Sequence, residues 1–231
     1  MKYLELKLSQ DMGTERMMKA GFHTLHIDIS DGHFVYNLTV GPSVVESLWK
    51  RTKANLECNL KVTNPLRYVE PLAKAGASVF TFHIEASKDN WRELICKIKA
   101  KGMRPAVALK DETPVEEVFP LVEDDYPIDM VLIMTVERGF GKGESFMPKM
   151  LDKVRMLGKK YPKLDIQVDG CVGPCNIKEV TAAGANCIVS GAAMFITDKP
   201  REFLACYKTL VIKEIERLNW FAENADRRTT N

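Results

Sequence analysis

His26-Ile27-Asp28-Ile29-Ser30-Asp31-Gly32-His33-Phe34 begins as a strand and ends in a turn. His26 and Asp28 are two residues apart, so in an extended chain both side chains point to one face. Asp31-Gly32-His33 then supplies turn chemistry. An imidazole and a carboxylate side by side at a strand end suit metal binding or proton transfer. The plainer reading is a pair of satisfied polar residues. A second acid in a similar setting, Val168-Asp169-Gly170, weighs against that plainer reading.

Outward from this stretch the chain alternates. Strands are expected at Tyr3–Leu8, His23–Ile29, Leu56–Val62, Val79–His83, Pro105–Leu109, Asp129–Met134, Asp165–Val168 and Cys187–Val189. Helical stretches lie between them, several opened by proline (Pro42, Pro65, Pro114, Pro148) and stopped by glycine (Gly21, Gly102, Gly184). A long final helix is expected over Glu202–Phe221. Strand and helix recur roughly every 25 to 30 residues, close to eight times, which predicts an α/β fold, a single (β/α)8 TIM barrel. A doubly wound open sheet is the alternative. No linker divides the chain, so residues 1–223 are expected to form one barrel domain, with 224–231 as a polar tail.

The composition excludes some partners. With 33 Lys and Arg against 31 Asp and Glu, spread along the chain, there is no electrostatic case for nucleic acid or an anionic membrane. No apolar run is long enough to span a bilayer. The first residues, Met1-Lys2-Tyr3-Leu4-Glu5-Leu6-Lys7, are too polar for a secretory leader, so a cytoplasmic location is expected. The six cysteines match no zinc framework and are expected to be reduced thiols. Cys171 and Cys175 are read as incidental to the site.

In a barrel of this kind chemistry gathers at the C-terminal ends of the strands. Asp28, Asn59, His83, Met134, Asp169 and Ser190 all fall at or near such ends. His26, Asp28 and Asp169 form a first constellation, in which two carboxylates flank a small substrate and the imidazole makes a divalent metal plausible. Three late glycine-bearing loops, Gly139–Gly143, Gly170–Gly173 and Ser190-Gly191, form a second, suited to phosphate through backbone N–H groups. On the third strand Glu57, Asn59 and Lys61 share one face. Facing the barrel axis, Lys61 needs an acid partner, and Asp28 and Asp169 are the candidates.

Six stretches carry a resemblance: His26–Phe34, Ala73-Lys74-Ala75-Gly76-Ala77, Phe82-His83-Ile84-Glu85, Met134–Gly141, Asp165–Gly170 and Gly184–Gly191. Over about residues 19 to 197 the sequence resembles the ribulose-phosphate 3-epimerase family, the plant cytosolic form in particular. The resemblance implies a (β/α)8 barrel that interconverts D-ribulose 5-phosphate and D-xylulose 5-phosphate. One Asp removes the proton at C3, a second returns a proton on the other face, and a divalent metal (Zn, Fe or Mn) stabilises the enediolate. By position Asp28 and Asp169 would be the two acid/base residues. His26, Asp28 and Asp169 would be metal ligands, with Asn59 as a weak or lost fourth. Gly139, Phe140, Gly141, Gly170 and Gly191 would lie along the phosphate path.

The departures from the family pattern gather in the site. An Asp-x-His-Leu-Met-Val pattern is here Glu57-Cys58-Asn59-Leu60-Lys61-Val62, so Asn59 stands for an imidazole and Lys61 for a methionine. Ser30 replaces another methionine. Tyr36 and Arg138 stand where proline is usual, and Lys142 enters a lengthened glycine loop. Cys171 replaces a glycine and Ala192 a serine. A Pro-Ser segment has no match in what reads as a shortened N-terminus. Lys61 is therefore a candidate charge substitute, and the metal is either held weakly or absent. Three functions stay open: a phosphopentose epimerase, a non-catalytic barrel that binds phosphosugars or a protein partner, and an epimerase of another phosphosugar. A homo-oligomer is common in the family, with no interface signal here.

Overall fold

The computed structural model describes residues 4–7, 14–52, 54–136, 145–191, 194, 197–202, 204–210, 212–213 and 216. Eight parallel strands close into a barrel in sequence order: β1 (Leu4–Lys7), β2 (Thr24–Ser30), β3 (Asn55–Lys61), β4 (Val79–His83), β5 (Arg104–Leu109), β6 (Met130–Met134), β7 (Asp165–Asp169) and β8 (Cys187–Ser190). β8 pairs with β1, with Val189 opposite Glu5, and this pairing closes the ring. The open doubly wound alternative is thereby set aside.

Between the strands run α1 (Thr14–Ala20), α2 (Pro42–Arg51), α3 (Val69–Lys74), α4 (Trp91–Ala100), α5 (Phe119–Val122), α6 (Leu151–Lys160) and α7 (Ile177–Ala182). Helical backbone is found at 200–202, 204–210, 212–213 and 216, in the stretch expected to form the final helix; positions 203, 211, 214, 215 and 217–221 of that expectation, and the expected tail 224–231, lie outside the described residues. α3 and α5 are shorter than expected because each is preceded by a 3₁₀ turn, Pro65–Tyr68 and Val115–Val118. Each turn is followed within the helix by a proline. Pro71 and Pro120 carry no N–H to donate to a carbonyl four residues back. Val69 and Phe119 donate instead three residues back, to Leu66 and Glu116.

Alternate strand residues divide into two sets. Leu25, Ile27, Ile29, Leu56, Leu60, Phe80, Phe82, Val107, Val131, Ile133, Ile166, Val168 and Ile188 join the helices in one large apolar layer around the barrel. α4 and α6 present Leu94, Ile95, Ile98, Val154 and Leu157 to it. On α2, Val45 is fully buried, whereas Trp49 is 52% exposed. Its ring lies over Gly76: a Cβ at that glycine would come within 2.4 Å of Trp49 Cγ, and its φ of +89° disfavours a side chain as well.

The other set of strand residues faces the axis. Val79, Ala106, Met130 and Cys187 form one small apolar group there, and Ala108, Leu132, Met134 and Val136 another. Polar residues that are buried in the interior include His26, Asp28, Ser30, Glu57, Asn59, Lys61, Thr81, His83, Gln167 and Asp169. No helix among the described residues is long and apolar enough to cross a membrane.

Candidate active site at the barrel mouth

Register assembles the site. β2 and β3 pair with His26 opposite Glu57, Asp28 opposite Asn59 and Ser30 opposite Lys61. β7 brings Asp169 up beside Met134 of β6 and Val189 of β8. The parity expected for Glu57, Asn59 and Lys61 is what the barrel uses: all three turn inward and are buried.

Glu57 lies lowest and organises the rest. Its Oε1 accepts from Thr81 Oγ1 at 3.0 Å and its Oε2 from Gln167 Nε2 at 2.8 Å. Oε2 also lies 3.2 Å from His26 Nδ1. A carboxylate on one ring nitrogen fixes the ring's orientation. His26 Nε2 is then the nitrogen turned to the two acids, 3.6 Å from Asp28 Oδ1 and 3.9 Å from Asp169 Oδ2. One ligating atom from each of His26, Asp28 and Asp169 lies within 4.8 Å of the others. Residues 141 positions apart in sequence thus open on one cavity.

Asp28 has two further neighbours. Asn59 Nδ2 donates to its Oδ1 at 2.9 Å, and Lys61 Nζ lies 3.2 Å from the same oxygen. An ammonium this deeply buried requires such a partner. The expected partnership of Lys61 with Asp28 is therefore present.

The donor types are those a divalent cation takes, although Asn59 and Lys61 already engage one of them, Asp28 Oδ1. The set comprises two carboxylates and an imidazole whose far nitrogen is held by Glu57, the usual outer arrangement around a histidine ligand. Asn59 Oδ1 is buried with no hydrogen-bond partner among the described residues, as are Ser30 Oγ and His83 Nε2. Buried polar atoms left unsatisfied at the ends of three neighbouring strands call for a ligand.

The rim is stitched by Asp31, the acid of the opening stretch. Its Oδ1 accepts from the His33 and Phe34 amides, both at 2.9 Å, and its Oδ2 from the Thr63 amide and hydroxyl, both at 2.8 Å. Burial raises its pKa, and these four bonds outweigh burial and hold it well below the ordinary carboxylate range. The ring of Phe34 lies 5.0 Å from that of His83, and Lys110 Nζ sits 3.9 Å above it. His83 Nδ1 is 3.3 Å from Glu85 Oε2.

Of the residues expected to meet phosphate, Gly170 and Gly191 are placed at the ends of β7 and β8. Gly170 has φ +129°, and a Cβ there would come within 2.9 Å of Val136, so the close approach requires glycine. Its carbonyl accepts from Thr135 Oγ1 at 2.7 Å. Cys171, also at positive φ (49°), and Cys175 are exposed. Gly139, Phe140 and Gly141, with Arg138, Lys142 and Gly143, lie outside the described residues, as does Ala192.

Thr81 and Gln167 were not singled out in the sequence. Their signal was parity: Gln167 is two residues before Asp169, and Thr81 is two before His83. His26 needs Glu57, and Glu57 needs both of them.

Comparison with known proteins gives this geometry a lineage. The family described as the Ribulose-phosphate 3 epimerase family matches residues 6–195. A protein of Oryza sativa subsp. japonica named ribulose-phosphate 3-epimerase, cytoplasmic isoform, is 60% identical over 197 residues, 85% of this chain and 86% of its own length. The Schizosaccharomyces pombe ribulose-phosphate 3-epimerase is 44% identical over 217 residues, 93% of this chain and 92% of its own. Among solved structures, 3-hexulose-6-phosphate synthase from Salmonella typhimurium superposes with a TM-score of 0.69 at 17% identity, covering 93% of this chain and all of that one. That likeness speaks for the barrel alone. The sequence match, by contrast, runs from within β1 to beyond β8 and takes in every residue that converges at the mouth, and on that ground the chain belongs to the ribulose-phosphate 3-epimerase family.

Proposed function

We propose that this chain interconverts D-ribulose 5-phosphate and D-xylulose 5-phosphate. The observation that carries the reading is the convergence of Asp28, Asp169 and His26 on one buried space, each offering an atom within 4.8 Å of the others. A carbon beside a carbonyl, placed between the two acids, loses its proton to one carboxylate and regains a proton on its opposite face from the other. The hydrogen at C3 is thus exchanged while the carbon skeleton stays intact. Glu57, through His26, keeps the imidazole from swinging into the carboxylates' path. The names of the relatives from rice and fission yeast, both ribulose-phosphate 3-epimerases, support the substrate pair.

His26, Asp28 and Asp169 would hold a divalent ion (Zn, Fe or Mn), with the Asn59 amide oxygen as a weaker fourth donor. When bound, such an ion supplies positive charge to the enediolate oxygens. Gly170 and Gly191, joined by Gly139, Phe140 and Gly141, would receive the phosphate on backbone N–H groups. The rice relative's designation as a cytoplasmic isoform supports a cytoplasmic location here.

One observation favours a second reading, a phosphosugar-binding barrel without turnover. Asn59 and Lys61 both engage Oδ1 of Asp28, an oxygen a base would need. A coupled assay of the purified chain on D-ribulose 5-phosphate, with and without added Zn2+, Fe2+ or Mn2+, separates the two. We expect turnover that falls by about 10²–10⁴-fold in Asp28→Asn and in Asp169→Asn. Absence of turnover under every condition, with retained sugar-phosphate binding, selects the second reading.

A further inference from the structure

The cluster at the mouth already contains a cation. Lys61 Nζ lies 3.2 Å from Asp28 Oδ1, with the lysine side chain 3% exposed and the aspartate's 5%. Asn59 Nδ2 approaches the same oxygen at 2.9 Å. Asp28 Oδ1 is also the atom 3.6 Å from His26 Nε2. A divalent ion held by His26 and Asp28 would therefore share its carboxylate with a covalently tethered ammonium and an amide N–H. Like charges at such separations in a buried site repel strongly, and an oxygen that already accepts the Asn59 amide N–H and faces an ammonium has less to offer a metal. Withdrawing Lys61 would also take away the ammonium that faces the buried Asp28 carboxylate, a costly change in such surroundings.

We propose that Lys61 is the resident cation of this site: its ammonium occupies the side of Asp28 that a divalent ion would use, so the chain binds such ions weakly and does not depend on them. The inference rests on the epimerase reading above for the reaction it serves, and on the Lys61–Asp28 geometry for its physical content. In that reaction the ammonium supplies a fixed positive charge next to the acid/base pair. No proton need leave it.

The test reads metal binding and turnover separately. Zn2+ affinity is measured by equilibrium dialysis on the purified full-length chain and on Lys61→Met, Lys61→Gln and Lys61→Arg, each checked for native circular dichroism. Two neutral variants guard against one failing to fold. Removing the ammonium is expected to tighten Zn2+ binding by at least about tenfold, on the scale of changes to groups around a metal site. Lys61→Arg is expected to bind like the parent. Turnover of the parent on D-ribulose 5-phosphate is expected to survive a chelator. Tight stoichiometric Zn2+ in the parent, equal affinity in the parent and the neutral variants, or turnover lost to the chelator and restored by metal would each overturn the proposal. The parent measurement alone decides if both neutral variants misfold. If affinity shifts as expected while no protein turns over, the epimerase reading fails and the resident cation stands.

Discussion

The two sides of the barrel interior are equally buried and chemically opposite. On the β2, β3 and β7 side stand His26, Asp28, Glu57, Asn59, Lys61, Gln167 and Asp169, and on the β5 and β6 side Ala106, Ala108, Met130, Leu132 and Met134. Every one of these residues is 6% exposed or less. Burial alone therefore does not set the character of a wall. The charged wall is tolerable because partners stand opposite one another in register: His26 beside Glu57, Asp28 beside Asn59. The apolar wall needs no such matching and contributes stability by leaving water and filling volume. On the proposed reading one wall carries chemistry and the other stability, and each can be disturbed separately.

The largest expected effect is on the apolar wall. Leu132→Ala removes a fully buried side chain between Ala108 and Met134. It should cost about 2–5 kcal/mol of folding stability, read from the denaturant midpoint, with turnover per folded molecule little changed. A loss of turnover as large as that of Asp28→Asn would mean the walls are not separable. Next is Glu57→Gln, which keeps the volume on the charged wall but withdraws the carboxylate facing His26 Nδ1. Turnover should fall by about 10–100-fold, with the loss mainly in kcat. An unchanged kcat would remove Glu57 from any positioning role.

The smallest effect lies at the rim, where Glu85 meets His83. Burial raises the Glu85 carboxyl, but bonds from His83, Thr113 and the Lys110 amide prevail and hold it at about 2, below its ordinary 4.5. A depressed carboxyl stabilises the fold fully above its unfolded value and loses that contribution as pH falls through its folded one. Stability should therefore drop by about 1–3 kcal/mol between pH 4.5 and pH 2, and Glu85→Gln should flatten that part of the curve. A profile identical in the variant would place the acid sensitivity elsewhere, with Asp31 the next carboxylate to examine.

Much of this was legible locally. Alternation of strand and helix gave the barrel, and strand bounds expected from pattern fall within one residue of those observed for β2 to β8. Helices are expected to open at Pro65 and Pro114; helical backbone does begin there, but its first turn is 3₁₀ in both places. The period of two also put His26 with Asp28, and Glu57 with Asn59 and Lys61, on shared faces. Asp31 illustrates what pattern leaves out. It read as a turn residue, and its second oxygen ties the β2 loop to Thr63, 32 positions on.

By itself the sequence determined which side chains could share a face, because backbone geometry fixes that over two or three residues. It also carried enough family pattern to point to the reaction. Only the tertiary structure decided which faces meet. Closure of the ring through β8 and β1 brings Asp169 to His26, and the β2–β3 register brings Lys61 to Asp28. Such contacts depend on the curvature and stagger of eight strands at once, a property of the closed sheet that no local stretch of chain contains.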